Sequence, residues 1–104
     1  MTFSPIDIAG WQLQCGEFTP DVVVDLRQPD AFSRARLHGA INIPYEQLQA
    51  RGPAELEPGQ QILLVDPGGA RAAEMAVWLR RHGLAAHYLV GGYANWTGEL
   101  ERTR

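Results

Sequence analysis

Residues 62–74 read ILLVDPGGARAAE, and this stretch decides the architecture. Ile62 to Val65 is a short, unbroken apolar run ending at Asp66, the pattern of a strand buried on both faces. Pro67-Gly68-Gly69 turns the chain. Ala70 to His82 then predicts an alanine-rich helix, with Arg80, Arg81 and His82 in its last turn and Gly83 as its stop. A strand feeding through a glycine-rich turn into a helix brings backbone N–H groups to the mouth of a parallel sheet. Gly68 and Gly69 free the turn to converge several amides on one point, and a helix start favours an anion there. Taken alone, the turn is equally a tight connection with Asp66 as a solvated cap. It lacks the lysine of a Walker loop and the spaced glycines of a dinucleotide fingerprint.

Working outward, Ser4-Pro5-Ile6-Asp7 has the form of a helix start, and a first helix is expected to run to about Gln14, with Gly16 behind it. Asp21 to Leu26 (DVVVDL) is a second buried strand, followed by a short helix from Pro29 to Arg34. Ala40 to Ile43 is a short strand ended by Pro44, and Tyr45 to Ala50 a short helical segment. Arg51 to Gln60 has the turn formers of a surface connection. Ala86 to Val90 is a strand of edge-like alternation, and Gly91-Gly92 leads into a closing helix around Tyr93 to Trp96. Strands alternating with helices, the main strands apolar throughout, give an α/β fold with a parallel sheet covered on both faces.

The chain has 104 residues and neither repeats nor linkers, so residues 1–104 are expected to form one domain. A net charge of -3 argues against nucleic-acid and anionic-membrane partners. All nine basic residues are arginines, which excludes a lysine Schiff base or lysine general base. Cys15 is the only cysteine, so neither an internal disulfide nor a thiolate metal cluster can form within the chain. It is expected as a half-buried structural thiol on the first helix. His38, His82 and His87 show no metal-ligand spacing, and Trp11, Trp78, Trp96 and Met75 are expected as core or helix-packing residues. No run reaches membrane-spanning length, and a cytoplasmic location is the expectation.

Four segments in this order resemble the rhodanese-like domain: VVVDLRQPDAF, LHGAINIPYEQL, ILLVDPGGARAAEMAVWLRRHGL and HYLVGGYANW. Asp25, Leu26, Arg27 and Phe32 match the family's first motif. Gly39 to Pro44 match its second, with Arg36 at the family's histidine. Leu89 or Val90, Gly91, Gly92 and Trp96 match its last. The resemblance implies a three-layer fold with a mostly parallel five-stranded central sheet flanked by helices, residues around Thr2-Phe3 supplying the first strand. It also implies a six-residue active-site loop, C-x-x-G-x-R, which aligns here as Asp66-Pro67-Gly68-Gly69-Ala70-Arg71.

In that family the loop cysteine accepts a sulfane sulfur as a persulfide. Asp66 stands at its position, and a carboxylate oxygen cannot form a persulfide. The resemblance therefore implies an inactive homologue: an anion-binding loop of residues 66–71 supported by Asp25 and Arg27, with a small anion or a protein as partner. It implies neither metal nor cofactor. Two alternatives stay open: a sulfurtransferase that works with a partner's thiol, or an enzyme that uses Asp66 on an anionic phosphoester. The Asp66 carboxylate is expected either to fold inward onto the Gly68 to Arg71 amides or to pair with Arg71 or Arg27.

Overall fold

The computed structural model describes residues 5–103. Its centre is a sheet of five parallel strands in the order β1-β6-β5-β2-β4. The strands are β1 (Asp7–Ile8), β2 (Val22–Asp25), β4 (Ile41–Asn42), β5 (Gln61–Val65) and β6 (Ala85–Leu89). The helices are α1 (Gly10–Gln14), α2 (Pro29–Arg34), α3 (Leu48–Glu55) and α4 (Ala70–Arg81). Outside this sheet, β3 (Ala35–Arg36) pairs antiparallel with β7 (Glu101–Arg102).

Alternation along the central strands divides the core. Val24, Ile62, Leu64 and Ala86 meet α4 through Ala72, Met75, Ala76 and Leu79, and α3 through Leu48. Those four α4 positions fall on one helical face, i, i+3, i+4 and i+7, which is what fixes the helix against the sheet. Leu79 is fully buried, a burial that contributes about 1.5–3 kcal/mol. Val23, Leu63, Val65 and Leu89 line the opposite face with Ile8 and Leu37, covered by Leu13, Phe18, Tyr93, Trp96 and Leu100. Buried on both sides, β5 and β2 carry the loops that follow them at fixed height.

Several expectations need correction. Asp7–Ile8 is a strand, because its backbone completes the sheet edge: Tyr88 N–H donates to the Ile6 carbonyl and Val90 N–H to that of Ile8, each at 2.9 Å. The helix that follows is reduced to α1. The expected Ser4 cap and the Thr2-Phe3 strand lie outside the described residues. The Arg51–Gln60 connection is helical as far as Glu55, with Pro53 inside α3. Gly52 permits this: a Cβ there would sit 3.3 Å from Leu48 and from Leu79, so its absence lets α3 close on α4. With β1 outside it, β6 is an interior strand, and His87 on it is buried. Trp11 is 61% exposed and Cys15 is exposed, since α1 presents only Leu13 to the core. No helix among the described residues is long and apolar enough to cross a membrane.

Candidate functional site

Asp66 follows β5 directly and is carried to the carboxyl end of the sheet, yet its side chain does not face solvent. It is 3% exposed. The carboxylate turns back under its own loop. Oδ1 accepts from Gly69 N–H at 2.6 Å, and Oδ2 accepts from Arg71 N–H at 3.0 Å and Ala72 N–H at 3.3 Å. Two of these donors lie in the first turn of α4, where N–H groups have no helical partner and the helix dipole favours negative charge. Gly69 makes the geometry accessible: it holds φ +99 at the N-cap, a left-handed conformation that side chains rarely adopt. The carboxylate therefore occupies the point on which the loop amides converge.

The loop is held from beneath by the 3-10 turn Gly92–Asn95. Tyr93 N–H donates to the Asp66 carbonyl and Ala94 N–H to that of Pro67, both at 2.9 Å. Gly92 lies under this contact with φ +56, and a Cβ on it would come within 2.1 Å of the Asp66 carbonyl oxygen. Only glycine fits there.

Tyr93 ties the loop to a second buried carboxylate. Its hydroxyl donates to Asp25 Oδ2 at 2.7 Å and accepts from Leu37 N–H at 3.0 Å. Burial, and then the hydrogen bond to Asp25, push the phenol well above its ordinary range. Arg27 closes the cluster. Its Nε and Nη2 reach the Asp25 carboxylate at 2.9–3.2 Å, Nη2 also donates to the Ala35 carbonyl at 2.5 Å, and the guanidinium lies 3.9 Å from the Tyr93 ring centre. Desolvation works to lower the Arg27 pKa, but the hydrogen bond and charge of Asp25 outweigh it and the pKa is raised. Asn42 Nδ2 secures the same bend through the carbonyls of Asp25, at 3.0 Å, and Arg27, at 2.9 Å. Asp25 and Arg27 thus act through Tyr93 and the backbone, without touching the loop's interior.

At the mouth, Pro67, Gly68 and Arg71 are exposed. The Arg71 guanidinium rests 4.6 Å from the Tyr45 ring centre, and the Tyr45 hydroxyl donates to Glu74. Neither Arg71 nor Arg27 pairs with Asp66. The remaining polar residues stand apart. Cys15 is on α1, its Sγ 3.8 Å from the Gln12 carbonyl. His82 stacks on Trp78, His38 faces Glu101 at 3.2 Å, and His87 is buried at the other end of the sheet. Among the described residues no three His, Cys, Asp or Glu side chains are grouped to hold a metal ion.

Tyr93 is the residue that sequence reasoning missed. The matched glycines beside it mark the turn, but nothing local says that the phenol reaches β2. The β3–β7 pair was missed too. Two residues each, it is held by Arg36 Nη2 on Glu101 at 2.8 Å and carries no apolar period.

A family model described as the rhodanese-like domain matches residues 11–99. The uncharacterized protein YibN of Escherichia coli is 36% identical over 81 residues, covering 75% of this chain and 57% of that protein. The uncharacterized protein YqhL of Bacillus subtilis is 31% identical over 80 residues, covering 76% and 63%. The chain thus spans about 57–63% of the length of these relatives. Among solved structures, the rhodanese-like domain from Anabaena sp. superposes with a TM-score of 0.80 at 23% identity, covering 96% of this chain and 81% of that one. A rhodanese-related protein from Thermoplasma volcanium gives 0.82 at 22%, covering 91% and 96%, and a rhodanese-like domain protein from Staphylococcus aureus gives 0.81 at 24%, covering 94% and 98%. These structural likenesses speak to the fold, and the family model, matching residues 11–99, speaks to descent: this chain belongs to the rhodanese-like domain family.

Proposed function

We propose that this domain is a binding or regulatory module without sulfurtransferase turnover of its own, acting in the cytoplasm on a protein partner in sulfur metabolism or signalling. One observation carries the reading. The side chain at the position aligned with the family's cysteine is a carboxylate, folded inward and holding the Gly69, Arg71 and Ala72 amides. Sulfur transfer needs a thiolate there. It attacks the sulfane sulfur of thiosulfate, sulfite leaves, and the enzyme persulfide passes its sulfur to cyanide as thiocyanate. Asp66 supplies no such sulfur nucleophile, and its charge fills the site that an anionic donor would enter.

The same geometry weighs against Asp66 as a nucleophile toward phosphoesters. Both carboxylate oxygens are committed to backbone donors, and the residue is nearly inaccessible. Cys15, on an exposed helix away from the loop, offers no replacement.

The test is thiocyanate formation from thiosulfate and cyanide, measured for the wild type and Asp66→Cys side by side. The wild type is expected at the buffer blank. Turnover by the wild type that persists in Cys15→Ser would overturn the proposal. Activity gained by Asp66→Cys would show that the frame around the loop remains competent for the family's chemistry.

A further inference from the structure

We propose that a groove beside the amino-terminal end of β2 binds a small organic cation with an apolar body, an alkyl or aryl amine or guanidine. The groove is open to solvent and spans about 900 Å3, within the usual range for small-molecule sites, and none of residues 66–71 lines it. It opens beside the amino-terminal end of β2, on the face covered by α1 and the carboxyl-terminal segment. Leu13, Val22, Ile41 and Trp96 give it apolar walls, and Ile41, on the edge strand β4, is 40% exposed.

Charge selects the occupant. Asp21 and Glu99 line the groove and no arginine does. Asp21 uses Oδ2 to accept from Gln61 N–H at 2.7 Å, and no cation pairs with it or with the Glu99 carboxylate among the described residues. The third titratable group there, His38, is turned to Glu101. The chain as a whole carries -3, so the field adds to the local preference. Burying an apolar body is favourable whatever head it carries. Two carboxylates without an ion-pair partner among the described residues then favour a cationic head and repel an anionic one.

Octylguanidinium, octanol and octanoate share one alkyl body and differ in head charge, so they serve as probes in an NMR titration of the folded chain, each below its aggregation limit. At about 6 Å in a water-like dielectric, each carboxylate changes the affinity for a unit charge roughly threefold. Octylguanidinium should therefore give saturable shifts at Leu13, Ile41 and the Trp96 indole, with roughly tenfold tighter binding than octanol and octanoate weaker still. Glu99→Gln and Asp21→Asn should each weaken octylguanidinium roughly threefold and leave octanol unchanged. Ile41→Arg, placing a cation at an exposed wall position, should weaken octylguanidinium roughly threefold or more. Equal binding of octanoate, shifts centred outside the groove, or no saturation with any probe would each overturn the proposal.

Discussion

Replacing Asp66 with alanine should empty the loop and turn it into a receptor for a free anion. The cost can be worked from the three hydrogen bonds. The Gly69 and Arg71 bonds, at 2.6 and 3.0 Å, are charge-assisted and contribute about 1.5 kcal/mol each net; the Ala72 bond at 3.3 Å adds little. Water can reach the vacated amides past exposed Pro67 and Gly68, so the loss is about 2–3 kcal/mol. In a domain of this size that lowers Tm by roughly 8–24 °C. Sulfate should restore part of it. A ligand at ten times its dissociation constant stabilises by about 1.4 kcal/mol, roughly 6–11 °C. The assay is a set of thermal melts of wild type and Asp66→Ala against sodium sulfate, with sodium chloride at matched ionic strength. Sulfate's general exclusion from protein surface raises both proteins alike, so the difference between them isolates binding. If sulfate stabilises the wild type as much as the variant, the carboxylate does not occupy the anion site and the argument from geometry fails.

Two further outcomes follow from polar side chains, one beside the site and one on β6. Tyr93→Phe removes the donor to Asp25 and leaves Leu37 N–H without its acceptor, costing about 1–3 kcal/mol in urea unfolding. An unchanged midpoint would mean that the phenol does not brace the turn. His87 is buried with Nδ1 at 2.7 Å from the Pro5 carbonyl, and burial first, with the Arg80 charge, lowers its pKa against the opposing pull of that carbonyl. The unfolded chain then takes up the proton before the folded one, so stability is full above about pH 6.5 and declines as pH falls through the folded pKa. The urea midpoint should drop as pH is lowered below about 6.5, and His87→Gln should flatten that slope.

What could be read from the sequence followed from how local each signal was. The β5–loop–α4 unit was legible because its apolar run, its glycines and its helix stop are adjacent and agree. So was α2, whose Pro29 start and Arg34 end match the structure. The amino terminus misled for the opposite reason: Pro5-Ile6-Asp7 is good helix grammar, but pairing with Tyr88 and Leu89, some eighty residues away, overrides a preference worth tenths of a kcal/mol per residue. His87 was misread because alternation along β6 describes its polar side chains and says nothing of β1 beyond it. In the site, the position of Asp66 was legible and its conformation was left between two alternatives. Inward folding depends on Gly69 adopting φ +99 and on the turn at Gly92, and each is set by tertiary contact.

The loop's supports also explain how a residue as consequential as the one at position 66 can differ while the frame persists. Tyr93 and Ala94 hold the carbonyls of Asp66 and Pro67, and Gly92 makes room for the Asp66 carbonyl; none of them touches the side chain. Asp25, Arg27 and Asn42 fix the neighbouring strand end through one another, through backbone carbonyls and through Tyr93. Exchange at position 66 therefore leaves the scaffold's hydrogen bonds in place and changes only what sits at the focus of the amides. That focus is unfavourable to leave empty, since the charge-assisted bonds from its N–H groups are then exchanged for weaker ones to water. An aspartate places a carboxylate there, where a cysteine would present a thiolate or persulfide. Fold likeness tracks the frame and is blind to the occupant.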